Sequence, residues 1–412
     1  MNTAAAEAET MPLPKGPVLG WDNFWPPAGS GWPHIGQLPY RRYTTSGRAA
    51  LHAALLQQRL PAGSGVLVPT YHCPTMIAPV IEAGLQPLFY ALDAEGLPAL
   101  ERIDAATAAA AGAMFVAHFF GLARSLAAVQ AWCRSRGIVL VEDCAHCYFG
   151  MAGERPVGHW GDYATASLSK FFPVSEGGLL ASAVHEIAPL GLQAQGMRAQ
   201  IKAAWDVLDL ASRHSRLAGL SQLLRSLRAM RAKVPVPAGD GMTTSVSIDS
   251  ATMHRECDMA RIRLAPTSAT RLIHGSLPAR RIVTRRRANY ALLSELLSSA
   301  SGASPLVRCL PAGSVPYVLP LWVDGEARAD AVYARLRDER LPIFRWDRLW
   351  PGTPAMAEDQ GRTWSRSVLQ VLCHQDLGAE DLRQVAGRIN AVLASTPYGP
   401  SAATRSTDDR HP

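Results

Sequence analysis

Residues 138–180 decide the fold, and they have the sequence IVLVEDCAHCYFG (138–150), MAGERPVGHWGDY (151–163) and ATASLSKFFPVSEGGLL (164–180). The apolar run at 138–141 is typical of a buried strand, and it ends at the acid pair Glu142 and Asp143. Open α/β sheets bind ligands outside the carboxyl ends of their strands. We therefore expect the carboxylate of Asp143 to face a ligand.

A lysine in an apolar setting follows in the same segment. Lys170 stands between Leu168 and the residues Phe171, Phe172 and Pro173, which predicts a desolvated side chain. Desolvation lowers the pKa of a lysine and makes its amine a nucleophile toward carbonyl carbon. A strand-end acid, a hydroxyl-rich turn and such a lysine together indicate pyridoxal phosphate (PLP), which needs a Schiff-base lysine and an acidic partner for its pyridine nitrogen.

The chain from about residue 43 to about residue 395 resembles the DegT/DnrJ/StrS family of PLP-dependent sugar aminotransferases, which have the fold-type I architecture of aspartate aminotransferase. The resemblance is carried by the spacing from Asp143 to Lys170 and by the turn Glu176-Gly177-Gly178. It implies an α/β fold, with a large domain built on a mostly parallel, seven-stranded-type sheet flanked by helices and a smaller C-terminal α/β domain.

The same resemblance predicts the domain limits. We expect an N-terminal arm at 1–42 that is partly disordered, followed by a large PLP-binding domain at 43–270 with a helical insertion at about 185–238. A small C-terminal domain at 271–397 and a disordered tail at 398–412 complete the chain.

The pattern of the large domain supports alternating strands and helices. Ser46 is a candidate cap for a helix whose apolar face is formed by four leucines, Leu51, Leu55, Leu56 and Leu60. Residues 113–143 form a strand–helix–strand unit, which requires parallel strands. No glycine-rich dinucleotide motif follows a strand and no P-loop is present, so a nicotinamide or NTP enzyme is disfavoured.

The resemblance assigns the cofactor-binding residues. Asp143 would pair with the pyridine nitrogen, and His146 stands where the family has Gln or His near the ring hydroxyl. Gly47 and Arg48 would hold the phosphate, with Arg48 replacing a threonine, and Ser167 could donate to the same phosphate. Taken singly, these residues also have ordinary structural explanations. Gly47 and Arg48 could be a helix cap with a surface arginine, Asp143 an ion-paired aspartate and His146 a structural histidine.

Two positions depart from the family. Cys73 stands where members usually place an aromatic side chain over the cofactor ring, so Tyr71 or His72 stacks there instead, or something smaller covers the ring. Phe171 stands where many sugar aminotransferases have an asparagine.

A metal site is not predicted. Cys144 and Cys147 could form a redox or metal pair, but the second half of a zinc site is missing.

Composition limits the class of protein. The chain has 412 residues, 48% hydrophobic and 18% charged, as expected for a globular protein. It contains no apolar run of membrane-spanning length, no signal pattern and no disulfide framework among its seven cysteines, so we expect a cytoplasmic location.

The net charge of +7 is concentrated at 213–233 and 280–287, which favours phosphate-bearing ligands, nucleic acid or anionic lipid, or is simply a solvated face. No nucleic-acid module is recognisable, so no nucleic-acid partner is expected. Residues 201–233 predict two amphipathic helices, either a packed insertion or a surface that docks on a membrane or a glycan-assembly partner. Arg345, Trp346 and Arg348 could meet an anionic or sugar-nucleotide substrate, or form a surface cluster.

The function that the resemblance implies is transfer of an amino group, from glutamate, to a keto-sugar that is nucleotide-linked, by a homodimer. Lys170 would hold the cofactor and then move the proton as base and acid. Two alternatives stay open: a PLP enzyme of another reaction type, such as a dehydratase, lyase or racemase, and a catalytically silent family member that binds partners or regulates.

Overall fold

The computed structural model describes residues 13–24, 31–221 and 249–397. Its strands, in chain order, are β1 (Tyr40–Thr44), β2 (Gly65–Pro69), β3 (Gln86–Tyr90), β4 (Ala111–Ala117), β5 (Val139–Asp143), β6 (Met151–Ala152), β7 (Arg155–Pro156), β8 (Tyr163–Ser167), β9 (Gly178–Ser182), β10 (Ala303–Pro305), β11 (Val318–Val323), β12 (Ile343–Phe344) and β13 (Val368–Leu372).

The helices of the described residues are α1 (Gly47–Gln58), α2 (Pro74–Glu82), α3 (Ala105–Ala110), α4 (Ala127–Arg134), α5 (Met197–Arg213), α6 (Ser250–Glu256), α7 (Ser268–Ser276), α8 (Ala279–Leu296), α9 (Glu326–Asp338), α10 (Gln360–Ser367) and α11 (Ala379–Ser395). None of them combines the length and the apolar character needed to cross a membrane.

A seven-stranded sheet in the order β1-β9-β8-β5-β4-β2-β3 forms the large part of the molecule. The pairs from β8 to β3 are parallel, and β9 alone runs antiparallel to both of its neighbours. β2 is buried along its whole length, as expected for a strand covered by helices on both faces. The predicted fold class, including the parallel unit that joins β4 to β5, is thus confirmed.

The ends of the parallel strands place the predicted site residues at one edge of the sheet. β4, β5 and β8 end at Ala117, Asp143 and Ser167, and β1 leads directly into α1 at the same edge. Ser46 caps α1 as predicted, because its side chain accepts a hydrogen bond from the Ala49 amide. The leucine face was predicted incorrectly at one position, since Leu56 is 55% exposed.

A second, antiparallel sheet with the order β10-β11-β13-β12 lies in the C-terminal part, with α8, α9 and α11 alongside. The domain limits at 42, 270 and 397 remain predictions. The large sheet already begins at Tyr40.

The segment at 13–24, part of the predicted arm, packs on the core. The Val18 amide donates to Asp376 Oδ2 at 3.0 Å, and Val18 and Leu19 form a small apolar cluster with residues of α5. Only the first of the two helices predicted at 201–233 can be compared with the structure, where it is α5. The second helix, much of the 213–233 charge run and the 398–412 tail lie outside the described residues.

Candidate active site

The strand ends, the N-terminus of α1 and the loop 168–178 line a pocket with a cavity volume of about 270 Å³. Its walls bring together residues that are far apart in the sequence. All the site residues predicted from the sequence line it: Gly47, Arg48, Cys73, Asp143, His146, Ser167 and Lys170.

Lys170 ends a single helical turn, Leu168–Lys170, that follows β8 directly. Burial lowers the pKa of its ammonium group, and electrostatic interactions with Cys73 and Asp143 only partly offset that effect. The Nζ atom lies 5.2 Å from the centroid of the Tyr317 ring. A larger fraction of this amine is therefore neutral, and nucleophilic, than of an exposed lysine at the same pH.

Asp143 is 7% exposed, and its Oδ1 accepts hydrogen bonds from the Ala145 amide at 2.9 Å and from Thr165 Oγ1 at 3.4 Å. Burial raises the pKa of its carboxyl group, while the Ala145 hydrogen bond and the charge of Lys170 act in the opposite direction. In its carboxylate form, Asp143 can accept a hydrogen bond from a protonated nitrogen of a ligand in the pocket and so keep the proton on that nitrogen.

His146 is buried, and its Nδ1 accepts a hydrogen bond from the Phe120 amide at 3.3 Å. Burial, and next the charge of Lys170, keep its pKa well below the ordinary value, so the ring is neutral. With Nδ1 as an acceptor, the proton of the neutral ring is on Nε2, which is free to donate to a ligand. The ring centroid lies 4.5 Å from that of Tyr317.

The N-terminus of α1 forms the anion-binding end of the pocket. The first amides of a helix have no intrahelical partner, and those of Gly47 and Arg48 lie in the pocket wall beside Ser167. The Arg48 guanidinium pairs with Asp258 at 3.3 Å, and among the described residues its buried Nε has no hydrogen-bond partner. Backbone amides, a hydroxyl and a cation fit a phosphate dianion.

The turn Glu176-Gly177-Gly178 closes the pocket beside the start of α1. A Cβ on Gly178 would lie 2.1 Å from the Ser46 carbonyl oxygen, and the Gly177 amide donates to Thr45 O at 2.7 Å. Glu176 anchors the turn by accepting from the Thr267 amide at 2.7 Å. The sequence marked this turn only through the resemblance, and the close contacts show why positions 177 and 178 are glycines.

The hypothesis that Tyr71 or His72 covers the cofactor ring is wrong. Tyr71 is completely buried behind the pocket wall, where its ring packs against Phe119 and Trp346 and its hydroxyl accepts from Gln370 at 3.2 Å, and Tyr71 itself does not line the pocket. His72 donates from Nδ1 to Pro69 O and accepts at Nε2 from the Trp350 amide, so both ring nitrogens are occupied in the core.

Cys73, by contrast, does line the pocket. Its Sγ lies 2.9 Å from Thr75 Oγ1, and the aromatic side chains in the pocket wall are instead those of Phe119 and Trp346. Trp346 was one of the three residues that could meet a substrate, whereas Phe119, from the loop after β4, was not indicated by the sequence.

The arginine predictions need two corrections. Arg345 does not face a substrate, because its side chain is 3% exposed and pairs with Asp330 at 2.6 Å. The run 280–287 is not simply a solvated face, because Arg286 is completely buried. Arg348 is exposed and pairs with Glu256.

Arg286 was missed as a site residue. Its Nη2 donates to the carbonyl oxygen of Lys170 at 2.5 Å, its Nη1 to Pro316 O and Tyr317 O, and its Nε to Gln375 Oε1 at 2.9 Å. Burial lowers its pKa to about 10. One guanidinium thus ties the turn that carries Lys170 to the C-terminal sheet.

Cys144 and Cys147 are completely buried, and burial raises the pKa of both thiols. Redox-active and metal-binding cysteines have a lowered pKa instead. His118, Glu142 and Cys144 place potential metal ligands within 4.8 Å of one another. The oxygens of Glu142, however, already accept backbone hydrogen bonds from Gly158, Trp160 and Gly161. The cluster therefore fits a hydrogen-bonded network better than a cation.

Comparison with known proteins shows what the segment around this pocket is similar to. Residues 40–220 match the family model described as the DegT/DnrJ/EryC1/StrS aminotransferase family. GDP-perosamine synthase of Vibrio cholerae is 27% identical over 197 residues, covering 46% of this chain and 54% of that protein. L-glutamine:scyllo-inosose aminotransferase of Streptomyces griseus is 31% identical over 162 residues, covering 38% of this chain and 37% of that protein.

The chain spans about half the length, or less, of the curated relatives that it matches. Solved structures agree over a longer stretch. 3-Amino-5-hydroxybenzoic acid synthase is 17% identical with a TM-score of 0.57, covering 88% of each chain. Spr1654 of Streptococcus pneumoniae, solved in a PLP form, is 12% identical with a TM-score of 0.59, covering 90% of this chain and 94% of that one.

The structural likeness shows the shared fold, and the sequence match covers the segments that build the Lys170 pocket. Residues 40–220, which contain Asp143, Ser167 and Lys170, therefore match the model of the DegT/DnrJ/EryC1/StrS aminotransferase family.

Proposed function

We propose that this protein is a PLP-dependent aminotransferase that moves an amino group, from glutamate, to a nucleotide-linked keto-sugar in the biosynthesis of a polysaccharide, another glycan or a secondary metabolite. The observation that carries the proposal is one pocket that holds a desolvated lysine, Lys170, and a buried carboxylate, Asp143. The names of relatives support a sugar substrate, since they include GDP-perosamine synthase and a UDP-N-acetyl-3-dehydro-glucosamine aminotransferase.

The residues present fit the cofactor. Three groups would hold its phosphate: the α1 amides at Gly47, the hydroxyl of Ser167 and the buried Nε of Arg48. This Nε has no hydrogen-bond partner among the described residues. Asp143 would hold the proton of the pyridine nitrogen, and His146 would donate from Nε2 to the ring hydroxyl. The bound cofactor would supply a carbonyl group conjugated to an electron-accepting ring.

Lys170 has two tasks in this scheme. Its neutral amine would hold the cofactor covalently, and once freed the same amine would carry the proton as general base and then general acid. The lowered pKa of Lys170 suits both tasks, because a base works best when its pKa is near the working pH.

We also propose a cytoplasmic homodimer whose partners are the amino donor and the keto-sugar. The resemblance supports this assembly, because fold-type I enzymes usually share their active sites across a dimer interface. Sedimentation of the purified protein tests the assembly, and a monomeric, active species would contradict it.

The decisive experiment is an absorbance spectrum of purified protein before and after borohydride, followed by mapping of the labelled peptide. We expect a visible or near-ultraviolet band and label on Lys170. Lys170→Ala should abolish the label, whereas Lys202→Ala should not, because Lys202 is exposed and paired with Asp206. Label on another lysine, or on none, would overturn the proposal.

Cys73 in the pocket wall favours a test of a second reaction type, because the family usually has an aromatic ring there. Amino transfer consumes glutamate and forms its keto acid in proportion to the aminated sugar. A dehydratase, lyase or racemase would convert its substrate without forming that keto acid.

A further inference from the structure

One arginine in the wall of the Lys170 pocket, Arg261, has no part in the site described so far. It lies in the short helical turn Met259–Arg263, and its carbonyl oxygen accepts a hydrogen bond from Thr45 Oγ1 at 2.8 Å. Thr45 comes just before the start of α1. This contact therefore places Arg261 beside the anion-binding end of the pocket.

The guanidinium of Arg261 is held by one buried carboxylate. Its Nη2 donates to Oε2 of Glu176, whose side chain is 5% exposed. Glu176 has further donors, because the Thr267 amide at 2.7 Å and Gln195 Nε2 at 3.0 Å both reach Oε1. The carboxylate is thus fixed from several segments, and it orients the guanidinium through a single nitrogen.

The rest of the guanidinium is free to meet a ligand. Within residues 13–24, 31–221 and 249–397, Nε and Nη1 of Arg261 have no hydrogen-bond partner, and the side chain is 43% exposed. A guanidinium carries five N–H donors in one plane, an arrangement that suits the oxygens of a carboxylate or a phosphate. Arg48, the other arginine of the wall, is less exposed at 24% and pairs with Asp258.

We propose that Arg261 is an anion-binding residue of this pocket, which uses the N–H groups that Glu176 leaves free to bind an oxygen anion of a reactant. Two sources supply that chemistry, the phosphate of the cofactor and a carboxylate of the amino donor. The inference rests on the proposed function, which brings both anions into the pocket. A role confined to the anchoring of the turn at Glu176 would not affect the affinity for an anion in particular.

The test is Arg261→Gln, which keeps a donor for Glu176 but has no charge. Two constants are measured: the dissociation constant of PLP, by absorbance titration of the cofactor-free protein, and the glutamate concentration that half-saturates the change of the absorbance band of the PLP-loaded protein. We expect one of them to rise at least about tenfold, because a charge-assisted hydrogen bond is lost. A rise for PLP assigns Arg261 to the phosphate, and a rise for glutamate assigns it to the donor carboxylate.

Two controls separate anion binding from damage to the turn. Pyridoxal has no phosphate, so a lost phosphate contact weakens PLP and leaves the affinity for pyridoxal unchanged. Arg263→Gln alters the same helical turn, but Arg263 is 78% exposed, lies 3.9 Å from Glu82 and does not line the pocket. Neither constant should move in that variant.

Unchanged constants for PLP and glutamate in a folded Arg261→Gln protein would overturn the inference. Equal losses for PLP and pyridoxal, without a change for glutamate, would also overturn it. If Arg261→Gln does not fold, Arg261→Lys, which keeps the charge but loses the planar fork, is measured in its place, and a smaller loss in one constant is expected. A wild-type protein that gives no band with PLP would refute the proposed function, whereas a band with unmoved constants in the variant refutes only this inference.

Discussion

The buried guanidinium of Arg286 provides the sharpest test of how the Lys170 turn is held. It donates hydrogen bonds to Lys170 O, Pro316 O, Tyr317 O and Gln375 Oε1, and it stacks 4.5 Å from the centroid of the Phe171 ring. Replacement by methionine keeps the length of the side chain and removes every donor. Four acceptors then lose their partner.

The cost follows from those four acceptors. A hydrogen bond contributes about 1 kcal/mol net, and a buried acceptor left without a partner costs about 1–3 kcal/mol, so we expect Arg286→Met to lower the free energy of unfolding by about 4 kcal/mol. Part of this cost is offset because the variant no longer buries a charge. Urea unfolding of the cofactor-free protein measures the change.

The neighbouring Arg285→Met is the matched control. Arg285 lies on the same helix and is exposed, with one hydrogen bond to Leu377 O at 3.3 Å, so its loss should change the free energy of unfolding by less than about 0.5 kcal/mol. In the folded Arg286→Met protein, borohydride labelling of Lys170 should also fall. Stability within about 1 kcal/mol of wild type, together with full labelling, would refute the idea that this guanidinium holds the turn.

Three further predictions concern the same pocket. Asp143→Asn should reduce turnover at least about 100-fold while leaving the Lys170 label in place, because an amide cannot hold a proton on the pyridine nitrogen; equal turnover would contradict its role. Because the pKa of Lys170 is lowered, the rate of cofactor attachment should reach its plateau at a lower pH than that of a free lysine amine, which stopped-flow absorbance measures. Gly177→Ala should cost about 1–3 kcal/mol in thermal unfolding, since Gly177 has a φ of 130° and a Cβ would lie 2.7 Å from Thr270 Cγ2, whereas Gly275→Ala fills open space and should cost nothing.

The local sequence pattern was sufficient to predict the residues that carry the proposed chemistry. Asp143 and Lys170 each follow a buried strand, and parallel strands place their ends at one edge, so a correct strand prediction brings both into one pocket. Gly47 and Ser46 were found for a similar reason, because a helix cap is a feature of adjacent residues.

Residues that support the site through distant contacts could not be found in this way. Arg286 stands in a run of arginines that is typical of a solvated face, and its contact with Lys170 joins residues 116 positions apart. The pairing of His118 with Glu142 likewise joins the ends of two strands, and neither residue has a local pattern that indicates burial.

Three buried charged residues near the pocket share one physical property that explains their effect on the site. An ion in the interior is tolerated only when its hydrogen-bonding groups are satisfied. Arg286 and Glu142 each have at least two partners from other segments, and Asp143 has Thr165 of β8 besides the neighbouring Ala145 amide. Moving any of the segments would leave a buried charge or a buried polar group without a partner. These contacts therefore keep a pocket assembled from loops of several different strands in a single geometry. The proposed reaction needs such a geometry, because one lysine and one acid must act on the same ligand.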